Sequence, residues 1–297
     1  MLTMTVDECL EAPDHSATNC PPADVQRTVI LPPRGWQLIN ARELWQFREL
    51  LFFLVWRDVK VRYKQTVLGA AWAILQPLMM MIVFTIFFGR MAKVPSGGLP
   101  YPLFAYAGLL PWTFFATAIT NAGNSVVGSE RLITKIYFPR LAVPFAAVGA
   151  AVVDFAIAFL FLIGMMIYYH VIPGPALLLL PILAGLITLA ALGVGTLLSA
   201  LNVAYRDFRY VIPFLVQIGM FATPTVYMQP SEATVGRSGA LLALNPMTPL
   251  IGGFRAATLG GPLHGGPLAI ASAVVLAIFV VGCLYFRKVE DSFADII

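Results

Sequence analysis

Charge is scarce in this chain. Charged side chains make up 11% of its 297 residues, against roughly a quarter in a soluble domain. A soluble protein that is 59% hydrophobic would lack the polar surface to cover itself. Cysteine and histidine are nearly missing as well. Cys9 and Cys20 fall in a tail expected in the reducing cytosol and Cys283 inside an apolar run, which excludes a disulfide framework. His15, His170 and His264 are far apart and lack metal-ligand spacing. The sequence has no GxxxxGK[ST] loop to cradle ATP phosphates, no HExxH and no GxSxG, so catalysis has no visible home. The net charge of +4 is too small and too dispersed for a nucleic-acid partner. The first 35 residues hold five prolines and no long apolar run, which predicts no cleavable signal peptide.

What the chain does have is six long apolar stretches: Leu68–Gly89, Pro102–Gly123, Leu141–His170, Ala176–Asn202, Val211–Met228 and Pro267–Phe286. About twenty helical residues at a 1.5 Å rise cross the ~30 Å hydrocarbon layer, and a lipid-embedded backbone must satisfy its own hydrogen bonds. The pattern predicts an all-α integral membrane protein with six transmembrane helices. Cations sort unevenly about these runs. Arg57, Lys60, Arg62, Lys64, Arg131, Lys135, Arg140, Arg206, Arg209, Arg287 and Lys288 flank one side, eleven against Arg90, Lys93, Arg237 and Arg255, four on the other. The positive-inside rule then places both termini in the cytoplasm.

Residues 1–35 read as a disordered cytoplasmic tail broken by Pro21–Pro22 and Pro32–Pro33. Residues 36–65 differ: Leu44, Phe47, Leu51 and Leu54 recur at helical spacing beside Trp45 and Trp56. That suits an amphipathic helix at the cytoplasmic interface; a seventh span is the alternative, opposed by six charged residues among seventeen. Residues 66–290 form the transmembrane domain, and 291–297 a cytoplasmic C-terminus. Pro111 predicts a kink or break in the second span. Ser125–Phe138 reads as a cytoplasmic helix stopped by Pro139. Between spans five and six, pieces near Gly239–Leu244 and Pro246–Leu259 are apolar but too short to cross. They read as re-entrant or interfacial helices on the outer face, with a disordered loop as the alternative.

Within the six spans stands one acid, Asp154, and no span offers it a partner. It serves either an interhelical hydrogen bond or the transport pathway. Trp72, Gln76, Met79 or Met80, Val83 and Phe87 share a face of span one; Phe214, Gln217, Phe221 and Met228 share a face of span five. Such faces suit a sugar path, with rings stacking on pyranose and Gln bonding hydroxyls, or ordinary helix packing.

The run RDVKVRYKQTVLGAAWAILQP from Arg57 to Pro77 closely resembles the membrane subunit of polysaccharide-exporting ABC transporters, the ABC-2 type permeases for O-antigen, capsule and teichoic acid. The likeness continues in LPWTFF from Leu110, LITKIYFPR from Leu132, YRDF from Tyr205, TPTVY from Thr223, NPMT from Asn245 and Phe254-Arg255. It covers about residues 35–290. The resemblance implies a homodimer bound to two copies of a cytoplasmic ATPase that holds the ATP and Mg, with no cofactor in this chain. It implies a multi-pass protein of the bacterial inner membrane that carries a polysaccharide or lipid-linked glycan, is no enzyme, and touches membrane lipid but no nucleic acid. It assigns the channel to Trp72, Gln76, Phe87, Phe214, Gln217, Phe221 and Tyr227. It assigns ATPase coupling to the segment holding Ser125, Glu130, Arg131, Lys135 and Tyr137, and the outer re-entrant helices to that holding Asn245 and Arg255. Arg57, Arg62 and Lys64 are candidates for a cytoplasmic entrance that meets a pyrophosphate-linked substrate, or else act in topology and anionic-lipid contact. Two rivals stand beside it: an ABC-2 exporter of a small molecule, and an intramembrane enzyme acting on lipid-linked sugars.

Overall fold

A computed structural model describes residues 45–64, 69, 71–96, 98–133, 135, 138–226 and 245–290. In chain order the helices are α1 (Arg48–Lys64), α2 (Ala71–Phe84, continued by a π-helical segment Thr85–Met91), α3 (Tyr101–Gly128) and the short α4 (Glu130–Ile133). Then follow α5 (Ala142–Tyr168), α6 (Leu180–Ala204, entered through a 3-10 turn Pro175–Leu179), α7 (Phe208–Ala222), α8 (Met247–Leu259) and α9 (Gly265–Glu290). Among the described residues there is no strand. Among the described residues five helices are long and apolar enough to cross a membrane: Ala71–Met91, Tyr101–Gly128, Ala142–Tyr168, Pro175–Ala204 and Gly265–Glu290. Phe208–Ala222 is apolar but shorter.

That shorter helix departs from the expected Val211–Met228. It starts three residues earlier and stops at Ala222, because Thr223 precedes Pro224 and takes an extended conformation (φ −109°, ψ 132°). A residue before proline is pushed out of the helical region by the ring's Cδ. At Pro111 the chain is not broken. α3 runs unbroken through it for 28 residues, although proline removes a backbone hydrogen bond. Every residue from Leu103 to Trp112 is buried, so α3 is the central helix and packing on its neighbours holds it continuous.

The helices approach through small residues, as apolar helices in lipid must when water supplies no drive between them. Gly195 of α6 lies against Ala122 of α3, Gly149 of α5 receives Val55 of α1, and Gly193 and Gly282 let α6 and α9 cross backbone to backbone. A polar bolt adds to this: Asn202 Nδ2 on α6 donates to the Gly123 carbonyl (2.9 Å) and the Asn124 side-chain oxygen (3.2 Å) of α3. Replacing it by Asn202→Leu should cost about 1 kcal/mol, the usual worth of an interhelical hydrogen bond in a membrane protein. Reversible SDS unfolding would read it, and an unchanged midpoint would rule the bond out as a stabiliser.

Two apolar clusters make the core. The larger runs through α3, α5, α6, α8 and α9. The smaller gathers Leu54, Val126, Ile133, Leu141, Val203 and Phe286, so it unites the ends of α3, α6 and α9 with the start of α5. Arg140 lies there too, bonded through its backbone N–H to a Glu290 carboxylate oxygen (3.1 Å) and through its guanidinium to the Glu290 carbonyl. Arg287 stands 3.8 Å from Glu290 on the same end of α9.

The expected Ser125–Phe138 helix is corrected. α3 itself continues to Gly128, Ser129 leaves the helical region (φ −113°, ψ 24°), and among the described residues helix resumes over Glu130–Ile133. Phe138 and Ile133 are then buried in the smaller cluster, which a straight continuation would not allow. Of the two short outer pieces, Gly239–Leu244 lies outside the described residues. The second forms α8, whose Leu250, Ile251, Phe254 and Ala257 are buried in the larger cluster. Burial of that stripe is what a water-exposed loop would forgo.

Candidate functional site

A recess with polar lining forms where the end of α1 meets the middle of α5. Asp154 is the pivot. Its carboxylate accepts from the Arg62 guanidinium on one oxygen and from the Tyr63 hydroxyl on the other. The reading that Asp154 has no partner is thus corrected: the partner comes from α1. Val55 seats in the notch of Gly149 and Arg62 reaches Asp154, so α1 and α5 ascend together. Asp154 stands twelve residues past Ala142, about 18 Å at the helical rise. The side chains of Arg62 and Asp154 are 32% and 19% exposed, enough water for the pair to form without full desolvation. Burial raises the Tyr63 phenol pKa, with Arg62 pulling the other way, so the hydroxyl keeps its proton and donates.

Around this pair lies a cavity of about 380 Å³. α2 contributes Trp72 and Gln76, α3 contributes Thr113, Thr117 and Asn121, and α5 contributes Ala151, Asp154, Phe155 and Ala158. The α3 residues recur every four positions and so share one helix face. Ala151 and Ala158 stand one turn either side of Asp154, leaving space in front of the carboxylate. Thr113, Thr117 and Asn121 were missed by the sequence reading; a polar stripe of period four in an apolar span was the available signal.

The other expected residues distribute as follows. Trp72, Gln76 and Phe87 are exposed on α2, as are Phe214, Gln217 and Phe221 on α7; Tyr227 lies outside the described residues. Of the entrance set, Arg57 is bonded to Asp58 (2.9 Å), Arg62 is engaged by Asp154, and Lys64 is exposed. Ser125 turns its hydroxyl inward to the Ala122 carbonyl (2.7 Å). Glu130, Arg131 and Lys135 are exposed, and Tyr137 is outside the described residues.

Asn245 and Arg255 come together at the turn after α7. Asn245 donates to Thr223 Oγ1 (2.9 Å) and accepts from the Met247 N–H (3.0 Å), opening α8. Arg255 donates to the Thr225 carbonyl (2.6 Å) and lies 3.9 Å over the Phe104 ring, a cation–π contact. Gly108 makes the room: a side chain there would strike the guanidinium.

A bundle of long apolar helices closed by small residues is a multi-pass membrane protein. The chain belongs to the ABC-2 type transporter family, whose match spans residues 49–259. It is the membrane subunit of such a transporter, not an enzyme, and ATP hydrolysis in these systems resides on a partner. It is 28% identical over 257 residues, 86% of this chain and 97% of the relative, to the O-antigen export system permease protein RfbA of Myxococcus xanthus. It is also 28% identical to the protein of that name from Klebsiella pneumoniae, over 84% of this chain and 95% of the relative. The polysialic acid transport protein KpsM of Escherichia coli matches at 19% over 80% of this chain and 92% of its own.

Proposed function

We propose that this chain is the permease of a glycan exporter, moving a polysaccharide such as O-antigen or capsule from the cytoplasmic to the outer face of a bacterial inner membrane. Two copies pair, and two copies of a separate ATPase bind beneath and supply ATP, Mg and motion. The observation that carries this reading is the extent of the likeness to permeases named for O-antigen export, which runs over nearly their whole length. The absence of a phosphate loop in the sequence fits a subunit driven from outside.

In this reading α7 and the turn after it complete a sixth span, and both termini face the cytoplasm. The end holding Arg131, Arg140, Arg287 and Lys288 is then the cytoplasmic end. α1 rises from that surface along α5, and α8 is a re-entrant helix near the exit. The short α4, with exposed Glu130, Arg131 and Lys135, is the contact that takes the ATPase stroke. Arg57, lower on α1, remains for a pyrophosphate-linked substrate at the entrance, whereas Lys64 follows Arg62 and stands higher on that helix. Trp72, Gln76 and Phe87 on α2, with Phe214, Gln217 and Phe221 on α7, present exposed rings and amides that line the path between two copies.

Removing the two α7 groups together, Gln217→Ala with Phe221→Ala, should slow polymer export about tenfold, equivalent to about 1.4 kcal/mol of lost stabilisation. Binding of the ATPase should persist. Surface glycan on intact cells is the measurement, with co-purification of the ATPase as control. Full export, or crosslinking of these positions to lipid but not polymer, would remove them from the path.

A further inference from the structure

We propose that the recess between α1, α2, α3 and α5 is a binding site, within each protomer, for one neutral, hydroxyl-rich ring of the transported chain. The proposal rests on the glycan reading above and adds a place for the sugar away from the faces of α2 and α7 alone.

Its polar groups are available. Among the described residues the side chains of Gln76, Thr117 and Asn121 line the cavity without a hydrogen bond to the protein. Two amides and a hydroxyl offer donors and acceptors together, which is what sugar hydroxyls require. Trp72 lies on the rim, exposed, and supplies a flat apolar surface for a pyranose face. The volume of about 380 Å³ is at the small end of ligand cavities, suited to a single ring rather than a stretch of polymer.

Charge selects among ligands. Arg62 and Asp154 neutralise each other, and Tyr63 spends its proton on the same carboxylate. No net charge faces the cavity, so a phosphate would find its natural partner already committed. A lipid tail is disfavoured for the opposite reason: it would leave the amides of Gln76 and Asn121 without partners, at the cost of desolvating them.

The test uses the complete transporter, permease with its ATPase, in lipid nanodiscs. The probes are an octyl glucoside carrying a photoreactive diazirine on the sugar and a diazirine-bearing fatty alcohol of equal chain length. Peptide mass spectrometry after irradiation should find glucoside adducts in the segments of α2 and α3 that line the recess. Thr117→Leu should reduce that labelling about tenfold, one decade of affinity, while Thr117→Ser retains it. If Thr117→Leu fails to assemble by size exclusion, Asn121→Leu carries the same test. Equal labelling by the fatty alcohol would make the recess a lipid crevice and overturn the proposal, as would labelling indifferent to both leucine variants. A transporter that exports glycan but shows no adducts in the recess sinks this site alone; one that exports no glycan sinks the exporter reading with it.

Discussion

Gly193→Val is expected to leave little folded protein in the membrane. A Cβ at this position would meet the Phe279 Cα at 2.7 Å and its backbone nitrogen at 2.8 Å. Backbone cannot rotate aside as a side chain can, so α6 and α9 must separate. Separation also costs the reciprocal approach, in which Gly282 of α9 lies against the Gly193 carbonyl and the Thr196 hydroxyl. Overpacking a tight interior costs about 1–3 kcal/mol; with loss of the α6–α9 seam the penalty should sit at or above the top of that range. Gly185→Val is the internal control. It lies on the same helix with nothing within 4 Å of where a Cβ would stand, so valine there should match the parent in yield and thermal midpoint. Comparable detergent stability for the two variants would mean that the α6–α9 crossing is not the tight seam described above.

Hydropathy located the long helices to within a few residues because apolar length is a property each segment carries by itself. Tyr101–Gly128 against the expected Pro102–Gly123, and Gly265–Glu290 against Pro267–Phe286, differ where polar residues such as Asn124 and Arg287 continue a helix beyond the apolar run. What hydropathy misses is set by pairs. Pro111 suggests a kink or a break because proline removes a hydrogen bond, and burial along α3 keeps the helix from breaking there. Ser125–Phe138 suggested one helix because its local pattern is helical, yet Phe138 and Ile133 are drawn into a cluster with Phe286 from the far end of the chain. The recess was half legible. Trp72 and Gln76 stand out on α2, whereas nothing local joins Thr113, Thr117 and Asn121 to Asp154. The family resemblance supplied roles for residues but no geometry, and nothing in it joined Arg62 to a carboxylate well up α5.

Asp154→Leu is expected to destabilise the protein by about 2 kcal/mol, between the 3–5 kcal/mol for breaking a fully buried pair and the 0–1 kcal/mol for an exposed one. The intermediate value follows from the partial exposure of both partners. The larger share of the loss is not the attraction itself: it is Arg62 left in a recess without a counter-charge, and Tyr63 left without its acceptor. A double variant separates these. Arg62→Leu with Asp154→Leu removes both charges together and should recover about 1 kcal/mol or more relative to the Asp154 change alone, since replacing an ion pair by apolar groups is often close to neutral. Strict additivity of the two single changes in reversible unfolding would show that the pair is not coupled. If coupling is found, Arg62 and Tyr63 at the end of α1 are fastened to the middle of α5, and α1 cannot slide along α5 without breaking that contact. A push delivered to α1 from the cytoplasmic end would then reach the rear wall of the recess through three named side chains.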